Sequence, residues 1–210
     1  MRLCSPCCPY LRTFLKNVAL VLVGVVSATL VGRWSSSVSP SGDAATASAL
    51  AGRPAPEGAE ERLRRLKIEL PPVSTPVATY VPFVRVGNVL YVSGHGPGRV
   101  DGRPVVGKVG RDLEIAEGRA AARSVGIRVL GTVRHALGSL DKVVRLVKVT
   151  GMVNSTEDFK QQPQVVNGFS DLMVEVFGGE AGKGARSAVG MASLPGGIPV
   201  EIEAIFQVRD

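Results

Sequence analysis

Residues 182–206 read GKGARSAVGMASLPGGIPVEIEAIF. At the C-terminal end of this stretch, Val200, Ile202, Ala204, Phe206 and, just beyond it, Val208 alternate with Glu201, Glu203, Ile205 and Gln207. A period of two places the first set on one face of a strand and the second on the other. One face suits a core. The other is neither fully polar nor fully apolar, the composition expected of a sheet face that meets another subunit. Upstream, ARSAVGM also reads as strand over about 185–193, with the last strand over about 199–208, and LPGGIP supplies the turn between them. Alternation puts Arg186, Ala188, Gly190 and Ala192 on one side, and Ser187, Val189 and Met191 on the other, expected to be the core side. An arginine followed by three tiny residues leaves a hollow with a guanidinium at its rim. That geometry grips a planar carboxylate and leaves room for the rest of a small anion. The alternative is a surface arginine paired with Glu203 or Glu201 on the neighbouring strand, an arrangement that contributes little. Glu201 and Glu203 themselves are either solvated strand carboxylates or a pair in which one holds and deprotonates a water.

Working outward, YVPFVRV and VLYVS flank Gly87-Asn88, a two-residue hairpin signal. The glycine-rich stretch GHGPGRVDGRPVVGKVG (94–110) follows as a long loop or distorted hairpin. SGHGPG (93–98) has neither the P-loop spacing nor GxGxxG, so close backbone approach to a small ligand at Gly94 and Gly96 fits better than phosphate cradling. Apolar residues at spacings of three and four, Ala122, Val125, Val129, Val133 and Ala136, predict a helix from about Leu113 to Leu137. KVVRLVKVTGMV (142–153) is β-branched and predicts a strand. A second helix is predicted over Gln162–Phe177, with Val166, Phe169, Leu172, Met173 and Val176 on one face. The order β-β-α-β-α-β-β is that of an α+β sandwich, a mixed sheet with two helices on one face.

The flanking regions differ in kind. The first 42 residues contain no acid, and VALVLVGVVSATLVG (18–32) is apolar or small throughout. That run is shorter than the roughly 20 residues needed to cross a bilayer as a helix. A basic flank, a short apolar run and VSA ending at Ala28 match a secretory signal. Arginine, serine and the lack of acid match a mitochondrial presequence, and an anchor through residues 14–32 is the third possibility. Membrane contact is expected through this segment alone. Residues 1–34 are assigned as targeting or anchor segment, 35–60, rich in Ser, Ala, Gly and Pro, as disordered linker, and 61–210 as the domain, opened by a short amphipathic helix within EERLRRLKIEL (60–70).

Composition excludes several classes. The net charge of +7 divides unevenly: residues 1–67 hold 9 Lys/Arg and 4 Asp/Glu, a net of +5, and residues 68–210 hold 16 and 14, a net of +2. With aromatics at 5%, the domain lacks the basic, aromatic-rich surface of a nucleic-acid binder. All three cysteines, Cys4, Cys7 and Cys8, lie in the leader, which leaves the domain without a disulfide or a cysteine nucleophile. No second cluster completes a metal site. The only histidines are His95 and His135.

Four ordered motifs, GNVLYVSG (87–94), RLVKVTGMVNSTEDF (145–159), ARSAVGMASLP (185–195) and VEIEAIF (200–206), resemble the YjgF/RidA family, also called the L-PSP endoribonuclease family, over about residues 62–208. The longer loop after Ser93-Gly94 and the chain ending look like those of a divergent branch. The resemblance implies a chorismate-mutase-like fold (bacillus type) and a homotrimer with clefts between subunits. It implies hydrolysis of reactive 2-imino or enamino acids to 2-oxo acids and ammonia, with no metal or organic cofactor. Non-catalytic binding of small carboxylates in the same cleft, or RNA cleavage, are the alternative activities. Arg186 matches the residue that binds the substrate carboxylate, and Glu201 the one that holds the attacking water. Tyr80, Ser93 and Gly94 match the residues lining the cleft. Two positions depart from the family pattern. Ala188 stands where the family often has cysteine, and His95 follows Ser-Gly where the family usually has glutamine.

Overall fold

Hairpin geometry at Gly87-Asn88 starts the sheet. Gly87 takes φ 57°, the left-handed value that a type II′ turn requires of its first central residue and that glycine adopts without strain. The turn joins β1 (Phe83–Val86) to β2 (Val89–His95), with Val86 opposite Val89 and Phe83 opposite Val92. These elements belong to a computed structural model that describes residues 57–76, 78–100 and 102–210. The expected targeting segment and nearly all of the expected linker lie outside the described residues.

The chain order is α1 (Ala59–Arg65), β1, β2, the two-residue strands β3 (Arg99–Val100) and β4 (Arg103–Pro104), α2 (Ile115–Leu137), β5 (Val143–Asn154), α3 (Gln162–Phe177), β6 (Ala185–Met191) and β7 (Val200–Val208). The main sheet has the order β1-β2-β7-β5-β6, while β3 and β4 pair separately. All main-sheet neighbours are antiparallel except β5 and β6, which run parallel because α3 crosses between them. The mixed α+β sandwich expected from the order of elements is the observed architecture.

α2 begins two residues later than the periodicity suggests. Glu114 and Glu117 form a reciprocal capping box there, and Gly138, at φ 79°, closes the other end. Pro163 in the first turn of α3 needs no N–H partner at that position. The two helices cover one face of the sheet, where Leu90, Val125, Val129, Phe169, Leu172 and Phe206 are buried together. Small residues set how closely they approach. A Cβ on Gly168 would overlap the Arg119 carbonyl oxygen of α2, and backbone cannot rotate away as a side chain can. Gly168→Ala is therefore expected to destabilise the fold by about 3 kcal/mol, measured as a shift of the urea midpoint at constant m-value.

The strand predicted over 142–153 is present with an interruption, and the expectation for β6 is corrected. Register shifts against β7, between Val143 and Arg145 and between Leu146 and Lys148, interrupt the alternation of β5. Its buried residues are accordingly Leu146, Val149, Gly151, Val153 and Asn154. The faces of β6 are also the reverse of those expected. Parallel pairing sets Arg186 beside Val149 and Ala188 beside Gly151, on the helix face, and Ser187 beside Thr150 and Val189 beside Met152, on the open face. Val189 is 41% exposed. The small residues make room for α3: Ala188 packs against the core, a Cβ on Gly190 would meet Gln162 and Ser155, and one on Gly151 would lie 2.6 Å from Val166. They accommodate a helix rather than a ligand.

Candidate functional site

The β2–β7 ladder runs regularly from Val89–Gln207 to Val92–Ala204, then shifts register before His95–Ile202. The irregularity contains Ser93 and Gly94 and carries the Gly94 backbone against the Glu201 side chain. A Cβ at position 94 would overlap Glu201 Oε1, so the carboxylate can lie there only because residue 94 is glycine. Glu201 is half-buried. That burial, with the charge of Glu203 as a smaller cause, raises its pKa above the ordinary carboxylate value. A carboxylate so placed is a stronger base than an exposed one.

On the same open face, reached by Glu203 and Ser93 rather than by Glu201 itself, is a groove of about 450 Å³, lined among others by Tyr80, Val84, Tyr91, Ser93, Lys148 and Glu203. Ser93 Oγ donates to the Val81 carbonyl at 2.7 Å, which fixes the segment bearing Tyr80 to the bulge. Lys148 Nζ donates to Ser187 Oγ at 2.8 Å. Tyr80, Val84 and Tyr91 are each about half exposed, an apolar surface for which the described residues provide no cover.

Arg186 lies elsewhere. Its strand is a sheet edge, and its side chain turns onto the helix face, where Nη1 donates to Asn167 Oδ1 at 2.8 Å and Ser170 Oγ at 3.0 Å. Both acceptors are neutral residues of α3. The guanidinium also borders a small cavity of about 170 Å³ with Leu146, Val149, Val174 and Lys183. The strand next to β6 is β5, not β7, which removes the ion pair with Glu201 or Glu203 considered from the sequence. Arg186 and Glu201 thus stand on opposite faces with β5 between their strands, while Tyr80, Ser93, Gly94 and Glu201 cluster at the β2–β7 side.

His95 turns its ring away from the groove toward α2. Nδ1 lies 2.6 Å from the Ser93 carbonyl oxygen and Nε2 lies 2.8 Å from Thr132 Oγ1. A carbonyl only accepts, so Nδ1 carries the proton, Nε2 accepts and the Thr132 hydroxyl donates. Burial lowers the His95 pKa, the Ser93 hydrogen bond opposes this and the charge of Arg128 adds to the lowering. Burial and the Arg128 charge thus favour the neutral ring. Reading the sequence did not single out Lys148, Asn167, Ser170, Arg128 or Thr132. A signal existed for the last two, which with Ser124 form a polar series spaced four apart along α2.

Residues 60–196 match the model of the family described as "YjgF/chorismate_mutase-like, putative endoribonuclease". Protein TCP17 of Trypanosoma cruzi is 43% identical over 148 residues, covering 70% of this chain and 92% of TCP17. The mitochondrial protein MMF1 of Saccharomyces cerevisiae is 31% identical over 149 residues, covering 68% of this chain and 88% of MMF1. Among solved structures, the protein Atu1372 of Agrobacterium tumefaciens, of unknown function, is 43% identical with a TM-score of 0.65, covering 72% of this chain and 92% of that one.

Proposed function

Because the chain belongs to the YjgF/chorismate-mutase-like family, we propose that it hydrolyses 2-imino or enamino acids to 2-oxo acids and ammonia, in a cleft completed by a second copy of itself. The observation that carries this reading is the half-buried Glu201 carboxylate, held against Gly94 at the side of an open groove. Its raised pKa suits a group that takes a proton from water. Water adds to the imine carbon as Glu201 accepts its proton. Glu201 returns that proton to nitrogen, giving a carbinolamine. The hydroxyl proton then passes to nitrogen, again by way of Glu201, as the C–N bond breaks, so ammonia leaves and the water oxygen remains as the ketone of the 2-oxo acid; an enamino acid first tautomerises to the imine. Tyr80 and Ser93 line the groove in which the electrophile sits.

The anion is held by Arg186. Two facts favour that role. Its guanidinium donates to Asn167 and Ser170 through Nη1 alone, which leaves Nη2 and Nε for a bidentate carboxylate. Among the described residues it also forms no ion pair, although eight pairs involving other arginines occur. Within one protomer Arg186 is on the wrong face to serve Glu201, so the β6 edge of one copy must approach the open face of another. The exposed Tyr80, Val84 and Tyr91 supply apolar surface for that contact. A homotrimer, as in the resemblance drawn above, closes the arrangement without leaving an open edge. The acid-free N-terminal segment and the mitochondrial relative in yeast support a mitochondrial address, with membrane contact confined to that segment.

Freshly generated 2-iminobutanoate is the substrate for the direct test. Ammonia release is expected to rise in proportion to added protein, and light scattering is expected to give three times the mass of the chain. A protein that binds 2-oxobutanoate calorimetrically without accelerating ammonia release would be a carboxylate-binding module instead, the reading that Ala188 favours by standing where the family often has a cysteine. RNA cleavage lost together with residues 186 and 201 would point to an endoribonuclease.

A further inference from the structure

The glycine-rich segment 93–98 is gripped from one side by a single stripe of α2. Ser124, Arg128 and Thr132 recur every four residues and so share a helix face. Ser124 Oγ accepts from the Gly98 N–H at 2.9 Å. Arg128 Nη1 donates to the Gly96 and Pro97 carbonyls at 3.0 and 3.1 Å, and its Nη2 donates to Ser74 Oγ at 2.5 Å. Thr132 reaches the chain through His95, whose ring passes the contact back to the Ser93 carbonyl. Every polar group of this zipper is a side chain of α2 or of His95 meeting backbone or a neutral hydroxyl. None of these side chains faces the groove.

We infer that this α2 stripe sets the conformation of residues 93–98, and that His95 is a positioning residue through which Thr132 holds the Ser93-Gly94 bulge against Glu201. Three features support it. The bulge breaks the β2–β7 ladder at the residues in question, so sheet hydrogen bonding alone does not define its shape. Thr132 is 1% exposed and its hydroxyl has a ring nitrogen as partner, while the acceptor-only Ser93 carbonyl at the other nitrogen makes Thr132 the donor to a neutral ring. Finally, Gly94 lies between the two ring-anchored residues Ser93 and His95, so a displacement of either moves the backbone that backs the Glu201 carboxylate. The lock itself is independent of the reaction. Its effect on turnover follows from the deaminase reading given above.

The test uses the whole protein. Only two histidines occur in the chain, so a long-range proton–nitrogen spectrum contains two imidazoles, assigned with His135→Gln. The native protein is expected to show His95 protonated on Nδ1 with Nε2 an acceptor. Thr132→Val is nearly isosteric and removes the donor. The Nε2 resonance is then expected to move, and the Glu201 carboxyl carbon, assigned with Glu201→Gln, to titrate at lower pH as water reaches it. Thr132→Ser restores both. In the imine assay Thr132→Val lowers kcat about tenfold with KM within about twofold, again restored by serine. A native His95 protonated on Nε2, or a Glu201 titration unchanged in Thr132→Val, overturns the inference. Should the valine variant not fold, Ser124→Ala, which frees the Gly98 N–H, carries the Glu201 readout with the same two outcomes. Both spectroscopic changes in a protein without imine turnover would keep the lock and refute the deaminase.

Discussion

Arg186→Ala is expected to lower kcat/KM for 2-iminobutanoate by about 10²–10⁴-fold. Each hydrogen bond to a charged group contributes about 1.5–3 kcal/mol, and a bidentate carboxylate clamp loses two of them at once, which converts to that factor. The substrate carboxylate carries the same charge in the ground state and in the transition state, so most of the loss should appear as a raised KM. Arg186→Lys keeps the charge but not the planar fork, and is expected to recover only part of it. Thermal stability should hardly change, because the Arg186 side chain is exposed and its partners Asn167 and Ser170 are neutral surface groups. Equal kcat/KM values in native protein and Arg186→Ala would sink the assignment.

Glu201→Gln should act on the other parameter. Removing a general base costs about 10²–10⁴-fold in kcat, with KM little changed. Native kcat is expected to fall as pH drops through the Glu201 pKa, which burial and, less, Glu203 raise above its ordinary value. The residual activity of the glutamine variant should lack that limb. The stability effect has the opposite sign. A carboxyl whose folded pKa is raised contributes stability in full below its unfolded pKa and loses it as pH rises through the folded pKa. Glu201→Gln should therefore unfold at higher denaturant than native protein near neutral pH, with the difference closing in acid. A variant less active yet more stable at neutral pH is the signature of a desolvated catalytic carboxylate. Unchanged kcat would remove Glu201 from the chemistry.

The two variants also test the shared cleft. Arg186 and Glu201 stand on opposite faces of one protomer with β5 between their strands. If each cleft takes one residue from each of two copies, co-expressing the two inactive variants in equal amounts regenerates intact clefts wherever they meet in the right order, about a quarter of the total in a cyclic oligomer. Activity equal to the mean of the separate variants would instead place both residues in the site of a single protomer.

Local pattern was enough for several elements. The Gly87-Asn88 turn, the spacing of three and four through α2 and α3, and the strict alternation of β7 each state their structure within a few residues, because helix and strand periods are properties of the backbone. The Glu201 face of β7 was legible for the same reason. Other features depend on what each segment meets. The bulges of β5 come from its pairing with β7 and shift its buried set away from a period of two. The small residues of β6 read as a hollow because alternation cannot tell space for a ligand from space for a helix, and only the packing of α3 distinguishes them. His95 ends β2 just beyond the register shift that breaks its period, so no local pattern points to its partner on a helix 37 residues away. The sequence by itself determined the elements, their order and the chemical types at the site. The tertiary structure decided which face each side chain serves and placed Arg186 and Glu201 apart, because strand order and helix packing are set by contacts between segments that no local period records.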